Sequence, residues 1–344
     1  MKSAIFSADP IYADEAVKEF QTLIGGKVKK LGNGAFLLQS RNRFEDLSAL
    51  IIEKKPIFMR HVCPAQMIVP LVGDEGDINK LARAIRDELA DFISTSDTFS
   101  VQSRMLLTGL PYKPFELNQQ LSKAVEQYSG ARLNVREPQQ VVSVIVGKMN
   151  DQLVGFMGVS DPALNLSDWA GGQIRFKREK GQLSRAEFKL LEALHVFDID
   201  LPRSGIALDL GAAPGGWTRV LRQKGLSVVA VDPAELHPSL DKDKEVTHRQ
   251  ETAQDFLRTN TTYFDLIVND MRIDSRKSAQ MMVSFATTLK VDGYGILTLK
   301  LPQSNPYKLM SHSFNILKEE FEIVNARNLF HNRHEVTVVV KGKS

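Results

Sequence analysis

The chain has 344 residues, 43% of them hydrophobic and 25% charged, with a formal net charge of +3. That length is too great for one ordinary core and suits two or three domains, and the composition is that of a soluble globular protein, which excludes long disordered tracts. A single cysteine, Cys63, excludes an intramolecular disulfide and a cysteine-rich zinc site, and no window approaches ~18 consecutive apolar residues, so the expectation is a cytoplasmic protein without a membrane partner.

Residues 3–6 read as a strand and 13–23 as a helix. Residues 28–31 and 36–39 flank Gly32-Asn33-Gly34, a hairpin signal. A second helix over 44–52 and a closing strand within 58–71 complete a β-α-β-β-α-β order. That order predicts a small ferredoxin-like module over residues 1–72. After the polar break Gly73-Asp74-Glu75-Gly76-Asp77, the residues Ile78, Leu81, Ile85, Leu89 and Phe92 recur at helical spacing across 78–93. Residues 99–106 are strand-like, 115–128 form a helix ending before Gly130, and 141–147 pairs with 153–159 across Lys148-Met149-Asn150-Asp151. This layout, with Arg132-Leu133-Asn134-Val135-Arg136-Glu137-Pro138, resembles a THUMP domain over residues 73–162. The resemblance implies an α+β module that binds RNA.

Residues 163–183 read as a linker in which Gly171-Gly172 is followed by Arg175, Lys177, Arg178 and Lys180. Such a run is a solvated face about as often as it is an RNA backbone contact, and both readings stand. Across residues 184–344, helices alternate with apolar strands at 206–210, 228–231, 266–268 and 295–299. The expected fold class is therefore α/β, with a doubly wound Rossmann-like domain at the C-terminal end and the two α+β modules before it.

The strand at 206–210 runs into Asp209-Leu210-Gly211-Ala212-Ala213-Pro214-Gly215-Gly216-Trp217, with a helix following to Gln223. Small residues let a backbone approach a ligand closely, and a helix N-terminus offers unpaired N–H groups to an anion. A pyrophosphate or an amino-acid carboxylate both suit such a turn. Ala213 occupies the second glycine position of G-x-G-x-x-G, which weakens a nicotinamide reading. Asp232, about 20 residues on at the end of the next strand, suits ribose hydroxyls of either cofactor class.

The loop resembles that of FtsJ-type ribose 2′-O-methyltransferases. It is more similar still to the RlmM-type group, enzymes with an N-terminal THUMP region that methylate a cytidine of large-subunit ribosomal RNA. Ser184-Arg185-Ala186-Glu187-Phe188-Lys189-Leu190, Asn269-Asp270-Met271, Leu299-Lys300-Leu301-Pro302 and the stretch from Leu329 to Val338 match in the family's order. The resemblance implies S-adenosyl-L-methionine as cofactor and RNA, ribosomal above all, as partner. It implies cofactor contacts from Asp209, Gly211, Ala213, Pro214, Gly215, Gly216 and Trp217. Ser184 would act from the helix entrance, where a plain N-cap explains it equally well. Asp232 would meet the ribose, Glu251 or Thr252 the adenine, and Asp270 would lie beside the methyl donor. At Met271-Arg272-Ile273-Asp274 the chain departs from the Met-Ala-Pro-Asn common in the family.

The same resemblance places Lys189, Asp270, Lys300 and Glu335 on a Lys-Asp-Lys-Glu catalytic set. A ribose hydroxyl is a poor nucleophile at neutral pH, so transfer needs a base near its proton. Two ammonium groups in a desolvated cleft disfavour each other's charge, which can free one lysine to act. By resemblance Lys300 is that base, oriented by Asp270. Lys189 would supply charge beside the developing alkoxide and Glu335 register. No metal is required, and His331 and His334 read as rim residues because no third ligand has suitable spacing. Alone, each position has a plain reading: Lys189 as a solvated helix residue, Glu335 as an inert rim carboxylate.

Four rival readings remain, the first two of them base methylation. Carbon-5 methylation of a pyrimidine needs a cysteine near the site, and only Cys63 exists. Amino-nitrogen methylation favours Asn/Asp-Pro-Pro-aromatic where this chain has Asn269-Asp270-Met271-Arg272. A nicotinamide oxidoreductase and a catalytically inactive RNA-binding protein complete the set. Oligomeric state is not legible.

Overall fold

The computed structural model describes residues 2–343. Among these residues the chain forms two compact units, one ending at Ile174 and the other beginning at Arg175. No helix among them is long and apolar enough to cross a membrane.

The first unit holds two four-stranded sheets. Strand β1 (Lys2–Ala8), helix α1 (Ala13–Leu23), strands β2 (Lys27–Gly32) and β3 (Ala35–Ser40), helix α2 (Phe44–Lys54) and strand β4 (Met59–Pro64) follow in chain order. They give the order β2-β3-β1-β4 with all neighbours antiparallel. The β2–β3 turn carries positive φ at Asn33 and Gly34, the twist a two-residue hairpin loop needs. Strand β5 (Met67–Pro70) begins the second sheet, followed by helix α3 (Gly76–Ala84), strand β6 (Phe99–Met105), helix α4 (Pro114–Ser129) and strands β7 (Gln140–Met149) and β8 (Gln152–Ser160). Helix α4 ends on Gly130 at φ 77°, a left-handed cap.

Three expectations are corrected here. The closing strand sought within 58–71 is two strands: β4 stays with the first sheet, while β5 pairs with β8 of the second. The break at Ala65-Gln66 sends the backbone from one sheet to the other, so Met67–Pro70 lies in the second sheet. The single helix expected over 78–93 is α3, a π-turn at Ile85–Leu89 and a 3-10 turn at Ala90–Phe92. The first part of the expected linker belongs to this unit, with Gly171 and Gly172 at positive φ packed against Arg104 and Arg60. Buried Arg104 joins the two sheets, donating to Ser7 Oγ at 2.6 Å and to the Asn33 carbonyl at 2.7 Å.

The second unit contains helix α5 (Glu187–Val196), strand β9 (Ile206–Leu210), helix α6 (Gly216–Gln223), strand β10 (Ser227–Val231), helix α7 (Pro238–Asp241) and strand β11 (Val246–Arg249). Helix α8 (Ala253–Thr259), strand β12 (Phe264–Asn269), helix α9 (Ser275–Ser284), strand β13 (Leu289–Lys300), helix α10 (Pro306–Leu317) and strands β14 (Phe321–Arg327) and β15 (Glu335–Gly342) complete it. The sheet order is β11-β10-β9-β12-β13-β15-β14, parallel except for β15, which runs antiparallel to both neighbours. Central strands are buried on both faces, which is why β9, β12 and β13 read as apolar runs. This is the doubly wound, Rossmann-like sheet that the alternation predicts. Strand order reverses between β9 and β12, so the carboxyl ends of those strands frame the crevice where such sheets bind ligands.

In the first unit, Asp77 is fully buried and accepts from the Val72 and Gly73 amides at 2.9 and 2.7 Å and from the Tyr112 hydroxyl at 3.0 Å. Burial opposes its ionisation, yet these donors hold the carboxyl below its usual range. Asp77→Ala should cost about 2 kcal/mol in chemical denaturation at neutral pH, because the buried Tyr112 hydroxyl and two part-buried amides lose their acceptor. A depressed carboxyl contributes stability above its unfolded pKa and loses it as pH falls through the folded value. The wild type should therefore lose more stability on acidification than the variant.

Candidate active site

Two assemblies sit at the carboxyl ends of the central strands. The first is the turn from β9 into α6. Gly211 has φ 74° and lies so close to Met271 that a Cβ would collide with it. Gly215, at φ 104°, is the N-cap of α6, and no side chain caps that end. The first amides of α6 are thus the kind of donors that hold an anionic group. Ser184 Oγ packs where a Cβ on Gly216 would stand, so the segment before α5 closes on the loop. Asp232, following β10, accepts from Ala213 N at 3.0 Å and from Ala234 N at 2.8 Å, which fixes the loop against the next strand.

The second assembly is a ring of four charged side chains. Lys189 Nζ lies 3.0 Å from Asp270 Oδ1 and 2.7 Å from Glu335 Oε2. Lys300 Nζ lies 3.1 Å from Asp270 Oδ1 and 2.7 Å from Glu335 Oε1. Each lysine therefore stands between both carboxylates. Their side chains are mostly buried, from 13% exposed at Glu335 to 25% at Lys300. Four elements meet here: α5 brings Lys189, the residue after β12 is Asp270, and Lys300 and Glu335 are directly paired across β13 and β15.

Burial works against the charge of Lys189, but Asp270 and Glu335 outweigh it and hold its pKa above the ordinary lysine value. Burial likewise opposes ionisation of Asp270, and the two ammonium groups with the Thr298 hydroxyl keep its carboxyl below the usual range. Lys189 thus keeps its charge between two carboxylates.

Residues 182–325 match the family described as FtsJ-like methyltransferase. The second unit carries an FtsJ-like methyltransferase domain. The chain is 34% identical over 176 residues to "Ribosomal RNA large subunit methyltransferase M" of Halorhodospira halophila, covering 50% of this chain and 51% of that one. It is 27% identical over 357 residues to the protein of that name in Yersinia enterocolitica, covering 96% and 91%. The chain thus spans about half the length of the first of these relatives. The solved structure of TrmN from Thermus thermophilus is similar across all of both chains at 15% identity, with a TM-score of 0.41.

Within the methyltransferase domain the sequence-derived residues separate into those that line the crevice and those that build it. Gly211, Ala213, Pro214, Gly215 and Gly216 form the turn, with Ser184 and Asp232 against it. Ser184 is not the N-cap: α5 begins at Glu187 after Ala186, and the buried Glu187 carboxylate reaches back to the Leu183 and Ser184 amides. The Asp209 carboxylate is buried and takes a 2.6 Å bond from Thr218 Oγ1, while burial pushes its pKa up to about 7. Trp217 is a core residue whose indole donates to the Ala186 carbonyl at 2.8 Å. Thr252 caps α8, accepting from Asp255 N, and Glu251 pairs with Arg249 at 2.6 Å. His331 packs against Phe176 and Phe188, and no cluster of three candidate metal ligands occurs among the described residues.

Sequence reasoning missed Thr298. Its hydroxyl donates to Asp270 Oδ1 at 2.6 Å and accepts from Lys300 Nζ at 3.0 Å, tying a carboxylate to a lysine of the ring. The available signal was its place two residues before Lys300, on the same side of β13. Glu192 was missed as well, although it holds the Phe330 and His331 amides, both at 2.7 Å.

The ring predicts its own electrostatics. Asp270→Asn and Glu335→Gln should each lower the pKa of Lys189, and the double substitution should lower it further. Lysine-selective NMR titration reads this directly; an unmoved Lys189 would show that the ion pairs do not form in solution.

Proposed function

We propose that this chain transfers a methyl group from S-adenosyl-L-methionine to a ribose 2′-hydroxyl of RNA, with a cytidine of large-subunit ribosomal RNA as the target. The observation that carries this reading is the ring of Lys189, Asp270, Lys300 and Glu335 beside the glycine turn. The ribosomal assignment leans on the names of the relatives, and of the two sheets of the first unit one is read as a ferredoxin-like module and the other as a THUMP-like RNA-binding domain.

The residues present fit the cofactor. The crowded backbone at Gly211 and Gly216, the uncapped start of α6 and the Asp232 carboxylate suit an amino-acid carboxylate and a ribose. When bound, S-adenosylmethionine supplies an electrophilic methyl group on a positively charged sulfur. Lys300, once neutral, would accept the 2′-hydroxyl proton. Asp270, Glu335 and the Thr298 hydroxyl keep Nζ in place before and after the proton arrives. Lys189, held as an ammonium, offsets negative charge growing on the ribose oxygen.

Base chemistry through a cysteine nucleophile has no support. Cys63, the chain's one cysteine, is buried in the first unit, and burial pushes its thiol pKa up to about 12. A thiol that stays protonated is a poor nucleophile.

Lys300→Ala should reduce single-turnover methyl transfer to a large-subunit ribosomal RNA transcript by about a thousandfold or more, within the range of general-base and electrostatic losses. Cofactor affinity by calorimetry should change by no more than about threefold. Wild-type transfer rates in the variant would remove Lys300 from the mechanism. Product mapping that finds base methylation in place of a 2′-O-methyl group would overturn the acceptor.

A further inference from the structure

The basic segment that opens the second unit reads in sequence either as a solvated face or as an RNA contact, and the way it is attached bears on that choice. Arg175, Lys177, Arg178 and Lys180 are all exposed, in a stretch with no helix or strand. Four cations against one carboxylate, Glu179, leave these six residues with a net +3, the formal charge of the entire chain.

Two side chains within the run turn back to the domain. The Phe176 ring stacks on Phe188 at 5.8 Å and on His331 at 5.6 Å, and those two rings meet at 5.1 Å. Glu179 Oε2 accepts from Arg219 Nη2 at 3.0 Å and from Gln223 Nε2 at 3.1 Å, both on α6. Its negative charge is thereby compensated. A free coil of like charges samples many arrangements, and one pinned twice presents its cations in a fixed row.

The first pin is tied to the ring of charges. Phe188 immediately precedes Lys189, and His331, whose amide is held by Glu192 of α5, precedes Glu335 by four residues. The second pin is on the helix that begins at the glycine turn.

We infer that Arg175–Lys180 is a pinned cationic strap that binds the phosphate backbone of single-stranded RNA beside the active site, with Phe176 and Glu179 as positioning residues. This rests on the RNA reading of the site and deepens it by naming the surface that holds the polymer. An exposed row of flexible cations on a fixed backbone suits phosphates, and compact lysines tolerate any base sequence.

The test uses the full chain and a fluorescein-labelled single-stranded RNA, with anisotropy measured across a salt series. Replacing Arg175, Lys177, Arg178 and Lys180 together by alanine should flatten the dependence of log Kd on log salt by about 0.7 for each phosphate that is no longer neutralised, up to about three units. An unchanged slope overturns the strap. Phe176→Ala keeps every charge but releases one pin. It should lower kcat/KM for RNA about tenfold with cofactor Kd unaltered, and Phe176→Tyr should recover the larger part. Equal kcat/KM in Phe176→Ala and wild type overturns the pinning. Because the salt slope is read without methyl transfer, wild-type protein that binds RNA on this slope but methylates no ribose would sink the functional reading and leave the strap standing.

Discussion

Two ammonium groups and two carboxylates have to share one partly buried space, and the second unit is organised around that requirement. Any one of the four charges placed there alone would be expensive to desolvate. Together they alternate, so each charge faces two of opposite sign. The arrangement needs helix α5, which precedes the sheet in the chain, beside the ends of β12 and β13. It also needs the antiparallel strand β15, which sets Glu335 directly opposite Lys300. A shift of one residue in that pairing would turn one partner to the other face of the sheet and leave a lysine facing a single carboxylate. The β13–β15 register is therefore as much a part of the site as the four side chains.

The supporting bonds serve the same requirement. Thr298 is buried in β13 and spans Asp270 and Lys300 with one hydroxyl. Asn328 donates to the Glu335 carbonyl at 2.7 Å, and Ser275 donates to that of Lys300. Glu187 and Glu192, both buried on α5, take up backbone amides before and beyond the site. Helix α5 thus carries Lys189 and also fastens the segments on either side of it. A ring of long, flexible side chains keeps its geometry only when its backbone supports are this rigid.

Much of this was legible in the sequence, for physical reasons. Strands buried on both faces must be apolar runs, and Lys300 and Asp270 interrupt such runs at the ends where an α/β sheet binds ligands. The glycine turn was legible because only glycine fits where Gly211 and Gly215 stand. The supports were not. Thr298 is an ordinary β-branched strand residue, and nothing in its type reveals that its hydroxyl meets two charges. Trp217 and Asp209 lie within the motif, yet their side chains face the core, since a motif fixes a backbone path and not the destination of each side chain. The crossing of β5 between sheets was hidden because strand pairing is decided by partners far away in the chain.

The place of Glu335 in the chain sets an order of assembly. A polypeptide emerges from its amino end, so the glycine turn, Lys189, Asp270 and Lys300 can come together while β15 is still unmade. At that stage Asp270 alone has to balance both lysines. A chain that stops short of β15 leaves both lysines with one carboxylate between them.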